Sequence, residues 1–147
     1  MGKVDQDVLT LRVARHLAGG QLDYIGFGGT GKQVRDVLHI ADLCDLVIRQ
    51  LDTTMGWSGD ILNVGGGPER STSLLELTGL CRDVTGSSIA IGTRPDTNPV
   101  DVRIFMMDSS RVQRAFRWQP TRSVADTVRD IAEWIRANGS RLASILG

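Results

Sequence analysis

The residues best suited to chemistry lie around one glycine-rich turn. Four glycines fall within residues 26–31, and Arg35 and Asp36 follow shortly afterwards. Glycine adopts positive φ readily and lets the backbone approach a ligand, so the turn either cradles a phosphate or simply reverses the chain in a hairpin. The guanidinium of Arg35 presents a planar fork of donors that suits phosphate or carboxylate. The alternative is a solvated Arg35–Asp36 ion pair, because charged residues beside turns usually face water.

Composition limits the classes of partner. The 147 residues include 17 basic and 17 acidic side chains, so the chain is neutral and has no broad basic field. Nucleic acid and anionic membranes are therefore not expected as partners. The length fits a single domain over residues 1–147. No run of ~18 apolar residues and no signal peptide is present, which predicts a cytoplasmic protein.

Metal binding is not expected either. Cys44 and Cys81 are far apart, no CxxC occurs, and the chain has only two histidines. Both cysteines fall in apolar helical patterns, so buried free thiols are predicted. Arg12 and His16 are expected on the wet side of the first helix, since cations suit a helix C-terminus.

Hydrophobic periodicity predicts helices and short strands in alternation. Trp118 and Trp134 are expected in or near the core, and Glu76 is expected to form a capping box with Ser73. The segment 61–64 has the unalternating apolar pattern of a strand covered on both faces. The predicted helices cover residues 8–17, 42–51, 74–85, 111–116 and 124–138, and the predicted strands 22–25, 34–40, 61–64, 88–92 and 102–107.

Four short motifs occur in an order that resembles one known family. They are the run from Gly31 to Asp42, Ile61 to Gly67, Leu74 to Leu77, and Phe116 to Pro120. Together they are similar to the C-terminal, substrate-binding part of an extended short-chain dehydrogenase/reductase of the NAD-dependent nucleotide-sugar epimerase/dehydratase family. The amino-acid sequence of these motifs is most similar to the branch of the family that acts on CDP-hexoses. The resemblance implies a small α/β domain of mixed strands and about five helices that lacks most of the Rossmann sheet.

The family's cofactor and catalytic motifs are missing from the printed sequence. Neither GxxGxxG nor Tyr-x-x-x-Lys is present, and Gly28 stands four residues after Tyr24, the only tyrosine. The glycines of residues 26–31 are followed by the apolar pattern from Val34 and not by a helix, so they are weak support for NAD. No catalytic or cofactor-binding residue is therefore assigned, although the resemblance implies NAD for a full-length member.

The resemblance also implies where substrate binds. Arg35 matches a family arginine that contacts the diphosphate of the nucleotide sugar, and Gln33 belongs to the same motif. Asp101 matches the aspartate of the family's Arg-x-x-Asp element. Asn98 stands where that element has its arginine, which weakens the expected diphosphate contact. Arg94 is a candidate replacement through a shift of the loop.

Two functions of different classes remain open from the sequence. The first is a truncated nucleotide-sugar epimerase, the substrate-binding part of an enzyme that is inert by itself. The second is a non-catalytic domain that binds a nucleotide sugar or serves in oligomerisation. A homodimer is expected, because the resemblance implies that an apolar strand edge at residues 61–64 and part of the apolar face of the helix from Asp42 lose the cover of the family's sheet. The alternative is a monomer in which the loop at 55–59 or the tail from Ser140 folds over this edge.

Overall fold

The computed structural model describes residues 8–52 and 59–146, and side chains up to residue 139. Within these ranges the chain forms five α-helices and five short strands, as the α/β prediction required. The elements are α1 (Val8–Ala18), β1 (Leu22–Ile25), β2 (Val34–Asp36), α2 (Ile40–Asp52), β3 (Ser71–Ser73), α3 (Leu74–Thr85), β4 (Ile91–Arg94), β5 (Ile104–Phe105), α4 (Ser110–Phe116) and α5 (Val124–Leu146). None of the helices in the described ranges is long and apolar enough to cross a membrane.

The chain divides into two compact units. Unit 1 comprises residues 1–33, 73–103 and 125–147, and unit 2 comprises residues 34–72 and 104–124. The expectation of a single domain over residues 1–147 concerns autonomous folding and stays a prediction.

Unit 1 is built on a two-stranded parallel sheet. β1 pairs with β4 in a register that sets Leu22 opposite Ile91 and Ile25 opposite Arg94. Helix α1 packs against α3. The apolar residues buried in this unit are Val13, Ala14, Leu22, Tyr24, Leu77, Cys81, Val128, Ala132 and Ile135.

Helix α3 shows how local sequence defines an element in unit 1. The Ser73 hydroxyl accepts a hydrogen bond from the Glu76 amide, and the Glu76 carboxylate accepts one from the Ser73 amide, which confirms the predicted capping box. These bonds to Ser73 lower the pKa of Glu76. Gly86 ends the helix with φ 72° and ψ 8°, a left-handed conformation that glycine adopts readily.

Unit 2 has a three-stranded sheet in the order β3-β2-β5, in which β2 and β5 are parallel. Leu46 of α2, Val112 of α4 and Trp118 form its buried core. Leu62 and Val64 pack against that core without belonging to a strand. Full burial of a side chain such as Leu46 contributes about 1.5–3 kcal/mol.

Several sequence predictions are wrong in detail. Residues 61–64 form no strand: Leu62 and Val64 reach the core from an irregular segment, while Ile61 is 90% exposed. The strand predicted over 34–40 is shorter: β2 ends at Asp36, residues 37–39 belong to no strand or helix, and α2 begins at Ile40. α5 continues through Asn138 and Gly139, where the Asn138 side chain donates to the carbonyl of Trp134 and leaves the helical backbone intact.

Other predictions fail on burial. His16 is 1% exposed and Arg12 only 4%, so neither lies on a wet face. Cys44 is exposed, whereas Cys81 is buried as expected. Trp118 is in the core, but Trp134 is 56% exposed. Part of the predicted loop at 55–59 lies outside the described residues.

Candidate functional site

The glycine turn is held by the protein's own backbone. The amides of Gly26 and Gly28 donate to the carbonyls of Arg94 and Pro95, and the amide of Gly29 donates to the carbonyl of Gly26. These N–H groups are directed at protein acceptors, so the turn does not offer them to a phosphate. The strands on either side of the turn, β1 and β2, belong to different sheets, so the turn does not form a hairpin.

Glycine is required in this turn because of close packing. A Cβ at Gly31 would lie 2.8 Å from Cδ1 of Tyr24, and one at Gly29 would lie 2.8 Å from Cβ of Thr93. Both glycines also have positive φ, 69° and 65°. The turn therefore places the chain against Tyr24 and β4, and its glycines are explained without a dinucleotide. The residues do not fit the cofactor loop of an NAD-binding domain.

Arg35 lies in the middle of β2, half-buried, in unit 2. Its register partner in β5 is Phe105, which is 47% exposed. One guanidinium nitrogen, Nη1, donates to the carbonyl of Val34 at 2.8 Å. The guanidinium is thus held close to its own strand, in a sheet that fixes the backbone beneath it.

Asp36 supports the second glycine turn of unit 2. Its Oδ2 accepts a hydrogen bond from the amide of Gly67 at 3.0 Å. A Cβ on Gly65 would collide with the same carboxylate oxygen, and one on Gly66 would collide with the carbonyl of Val37. Residues 65–67 therefore pack directly on the end of β2, next to Arg35 in sequence.

Gln33 and Arg94 are both neighbours of Ile25, the last residue of β1, in unit 1. Nε2 of the Gln33 side chain donates to the carbonyl of Ile25 at 2.8 Å. Ile25 is the register partner of Arg94 in the parallel pair of β1 and β4. Arg94 forms an ion pair with Asp23, with Nε 2.7 Å from Oδ2. Arg94 thus belongs to a strand, β4, and its side chain is directed back along β1.

Asn98 and Asp101 share one exposed turn of unit 1. The Asn98 side-chain oxygen accepts from the amide of Val100 at 3.2 Å, and its carbonyl accepts from the amide of Asp101 at 2.9 Å. Asn98 therefore shapes the turn that carries Asp101. The structure brings together Gln33 with Arg94, and Asn98 with Asp101, within unit 1, whereas Arg35 belongs to unit 2.

Sequence reasoning missed a buried polar cluster in unit 1. The Arg12 guanidinium donates to the Thr78 hydroxyl and to the Asp23 carbonyl, both at 3.2 Å. Burial lowers the pKa of Arg12 and raises that of the neighbouring Cys81 thiol to about 11, so Cys81 is not a reactive thiolate. His16 Nδ1 donates to the Arg12 carbonyl at 2.7 Å. The polar positions recur every four residues along α1, but this spacing also suits a solvated face.

Asp42 is the second buried polar group that sequence reasoning did not identify. It is 1% exposed, and its carboxylate accepts from the amides of Thr121 and Arg122 and from the Arg122 guanidinium. Burial alone raises the pKa of Asp42, but these hydrogen bonds outweigh it and the pKa is lowered. The Trp118 indole N–H donates to the Asp42 carbonyl, so this residue links α2 to the segment 118–122.

No group of three or more potential metal ligands is found among the described residues. The arrangement at β2 can bind an anion through the Arg35 guanidinium, and unit 1 presents a polar turn at 98–101.

Comparison with known proteins gives a consistent assignment of the fold. No protein-family model matches the chain. CDP-paratose 2-epimerase of Salmonella typhi is 35% identical over 106 residues, which is 72% of this chain and 31% of that protein. GDP-L-fucose synthase 1 of Arabidopsis thaliana is 32% identical over 113 residues, 75% of this chain and 32% of that protein.

A solved structure confirms the predicted fold class. UDP-glucuronic acid 4-epimerase of Bacillus cereus, in complex with UDP-glucuronic acid and NAD, matches with a TM-score of 0.76 at 20% identity. The match covers 90% of this chain and 40% of that one. The chain thus spans about a third of the length of these curated relatives and corresponds to the C-terminal part of the epimerase fold.

Proposed function

Because the chain belongs to the NAD-dependent nucleotide-sugar epimerase and dehydratase family and matches its C-terminal part, we propose that it is the nucleotide-sugar-binding part of such an enzyme. The observation that carries this proposal is the 35% identity to CDP-paratose 2-epimerase over 72% of the chain. Binding of the nucleotide sugar is accordingly the activity that this chain is proposed to retain.

The diphosphate contact is assigned to Arg35. A guanidinium binds phosphate oxygens through two parallel N–H donors, which a compact ammonium cannot do. β2 supports this role because parallel pairing with β5 holds the Arg35 backbone in a fixed position. Gln33, Arg94, Asn98 and Asp101 are proposed as substrate-binding residues of unit 1, with Asp101 carried on the Asn98 turn.

The base of the nucleotide is proposed to be cytosine. The relative at 35% identity acts, by its name, on a CDP sugar, whereas the relative at 32% is named for GDP-L-fucose and the solved neighbour holds UDP-glucuronic acid. Calorimetric titration with CDP-glucose, UDP-glucose and GDP-mannose tests this assignment. We expect CDP-glucose to bind most tightly; absence of binding by all three at millimolar concentration would reject the function itself.

Epimerisation by hydride transfer needs NAD and a general base. The glycine turn at 26–31 does not fit NAD, because its amides donate to backbone carbonyls and its glycines pack on Tyr24 and Thr93. We therefore propose that the 147-residue chain is inert by itself. The same titrations with NAD, with and without CDP-glucose, are expected to give no heat of binding for NAD.

The second candidate function, assembly, is favoured by an apolar stripe on α2. We define this stripe as Ile40, Cys44, Val47, Ile48 and Leu51. Its four large apolar members are between 44% and 70% exposed, and Cys44 is exposed as well. Apolar surface of this extent on one face of a helix is typical of an interface.

We propose that a second copy of the chain covers the α2 stripe. In an antiparallel pair of α2 helices centred on Val47, the stripe of each copy would cover the stripe of the other. Twofold pairing is also the commonest form of assembly. β5 adds a second exposed apolar element in the same unit, with Ile104 55% exposed.

A further inference from the structure

Three arginines of unit 2 surround two neighbouring cavities. We call Arg49, Arg114 and Arg117 the basic cluster. Arg49 lines a cavity of about 290 Å³, and Arg114 and Arg117 line one of about 280 Å³. Trp118 and Gln119 line both, so the cavities share a wall.

The positive charge of the cluster is largely uncompensated. Within the described residues, none of the three arginines forms an ion pair with a carboxylate. Asp45 also lines the first cavity and brings one negative charge to it; its Oδ2 accepts at 2.9 Å from Arg122, which also binds Asp42. Hydrogen bonds from Ser110 lower the pKa of the exposed Asp108 carboxyl, and Arg114 adds a smaller electrostatic contribution. Since the whole chain is neutral, this excess of positive charge is local.

The cluster is contiguous, and its wall is fixed by buried hydrogen bonds. Arg49 Nη1 donates to the carbonyl of Arg117 at 3.3 Å, which joins α2 to the end of α4. Trp118 is 3% exposed, and its indole N–H donates to the carbonyl of Asp42. The Trp118 wall that the two cavities share is therefore held in place by the core.

Arg117 has a backbone conformation that suits glycine better than arginine. It ends α4 with φ 46° and ψ 40°, and its amide donates to the carbonyl of Gln113. L-residues are disfavoured in this left-handed region, and glycine is the usual residue at such a helix end. An arginine here puts a guanidinium beside the cavity at the expense of backbone strain.

We propose that the basic cluster binds a phosphate-bearing small molecule, at a site separate from Arg35. Three guanidinium groups match a ligand with several negative charges, and their planar forks suit phosphate oxygens. Each cavity approaches the lower end of the size range of ligand pockets.

Calorimetric titration with inorganic pyrophosphate tests this proposal. All variants carry Arg35→Ala, so that a diphosphate contact at Arg35 does not contribute. Arg117→Gly removes one guanidinium and relieves the left-handed strain, so this variant is expected to fold at least as stably. Arg49→Gln removes a second guanidinium on another element. Each is expected to weaken binding by about tenfold or more, the scale of a lost charge-assisted hydrogen bond.

Arg111→Gln is the matched control, because it removes an arginine from α4 that lines neither cavity. Pyrophosphate affinity is expected to be unchanged by this substitution, and citrate is expected to bind more weakly than pyrophosphate. The proposal is overturned if pyrophosphate does not bind at millimolar concentration, or if Arg117→Gly and Arg49→Gln leave its affinity unchanged. An equal loss in Arg111→Gln, or equal binding of citrate, also overturns it.

Discussion

The guanidinium carbon of Arg12 lies 5.2 Å from the centre of the Tyr24 ring, in the interior of unit 1. The Tyr24 hydroxyl donates at 2.9 Å to the Thr78 hydroxyl oxygen, which also accepts from Arg12. One buried contact between a cation and an aromatic ring thus ties α1, β1 and α3 together. Within the described residues Arg12 has no carboxylate partner, so hydrogen bonds and the ring carry the stabilisation of this charge.

Removing the Arg12 head group should destabilise the protein. Arg12→Ala leaves a cavity and removes the donors to Thr78 and Asp23, so we expect a loss of about 1–3 kcal/mol in the free energy of unfolding. Arg12→Met keeps most of the volume without burying a charge, and is expected to lose less. Urea denaturation measures both, with Arg82→Ala on the exposed side of α3 as control. Equal losses of unfolding free energy in Arg12→Ala and Arg12→Met would contradict the expectation that the volume of the side chain at this position contributes to stability.

The Asp42 carboxylate should make stability depend on pH in the acid range. Its folded pKa is lowered from 3.8, so its contribution is fully present above that value and is lost as the pH falls through the lowered pKa. Asp42→Asn loses acceptors for Thr121 and Arg122, and is expected to cost about 1–3 kcal/mol at neutral pH. The difference in the free energy of unfolding between Asp42→Asn and the parent chain should shrink at pH values below the ordinary pKa of the carboxyl.

Denaturant titrations between neutral pH and pH values well below 3.8 measure this effect of Asp42. Asp83→Asn, an exposed change of the same chemistry on α3, is the control and should alter neither stability nor its pH dependence. A difference between Asp42→Asn and the parent chain that stays constant with pH would exclude the carboxylate as its source.

The packing of Gly31 against Tyr24 predicts a steric effect beyond the cost of the backbone conformation. Gly31 and Gly86 have similar φ, 69° and 72°, but a Cβ at Gly86 meets nothing within 4 Å. Alanine at either position costs about 1–2 kcal/mol for the left-handed backbone. Gly31→Ala is expected to cost a further 1–3 kcal/mol, approximately, from overpacking. Thermal and urea denaturation compare the stabilities of Gly31→Ala and Gly86→Ala. Equal losses of stability would show that the Tyr24 ring moves aside without measurable cost.

Light scattering tests the proposed dimer. At low micromolar concentration we expect a mass about twice the 16.0 kDa of one chain. Val47→Asp, in the middle of the α2 stripe, should shift the mass to that of the monomer. Val100→Asp, at another exposed apolar residue, should not. A parent chain of 16.0 kDa would reject the dimer.

The sequence predicted elements whose signals are local. The Ser73–Glu76 capping box and the Gly86 terminus define α3 by short-range hydrogen bonds, so α3 was predicted correctly. Trp118 was predicted in or near the core from its aromatic side chain and lies there, but the same reasoning failed for Trp134. The family resemblance identified the fold class, because four motifs kept their order along the chain.

The sequence did not show which faces the tertiary structure covers. His16 and Arg12 occupy helical positions that equally suit water, and only packing of α1 on α3 buries them. The segment 61–64 has a strand-like composition, but strand formation needs a paired neighbour, and here Leu62 and Val64 pack on the core instead. The partners of Asp42 lie about 80 residues further along the chain, beyond the reach of any local pattern.

Titration of CDP-glucose into the parent chain, Arg35→Ala and Arg82→Ala tests the central claim most directly. Arg82 is an exposed arginine on α3, so its replacement controls for loss of one positive charge. Arg35→Ala is expected to weaken binding by about tenfold to a hundredfold, the range for a hydrogen bond to a charged group. Arg82→Ala should bind like the parent chain. Unchanged affinity in Arg35→Ala, or no binding of CDP-glucose by the parent chain, would contradict the account.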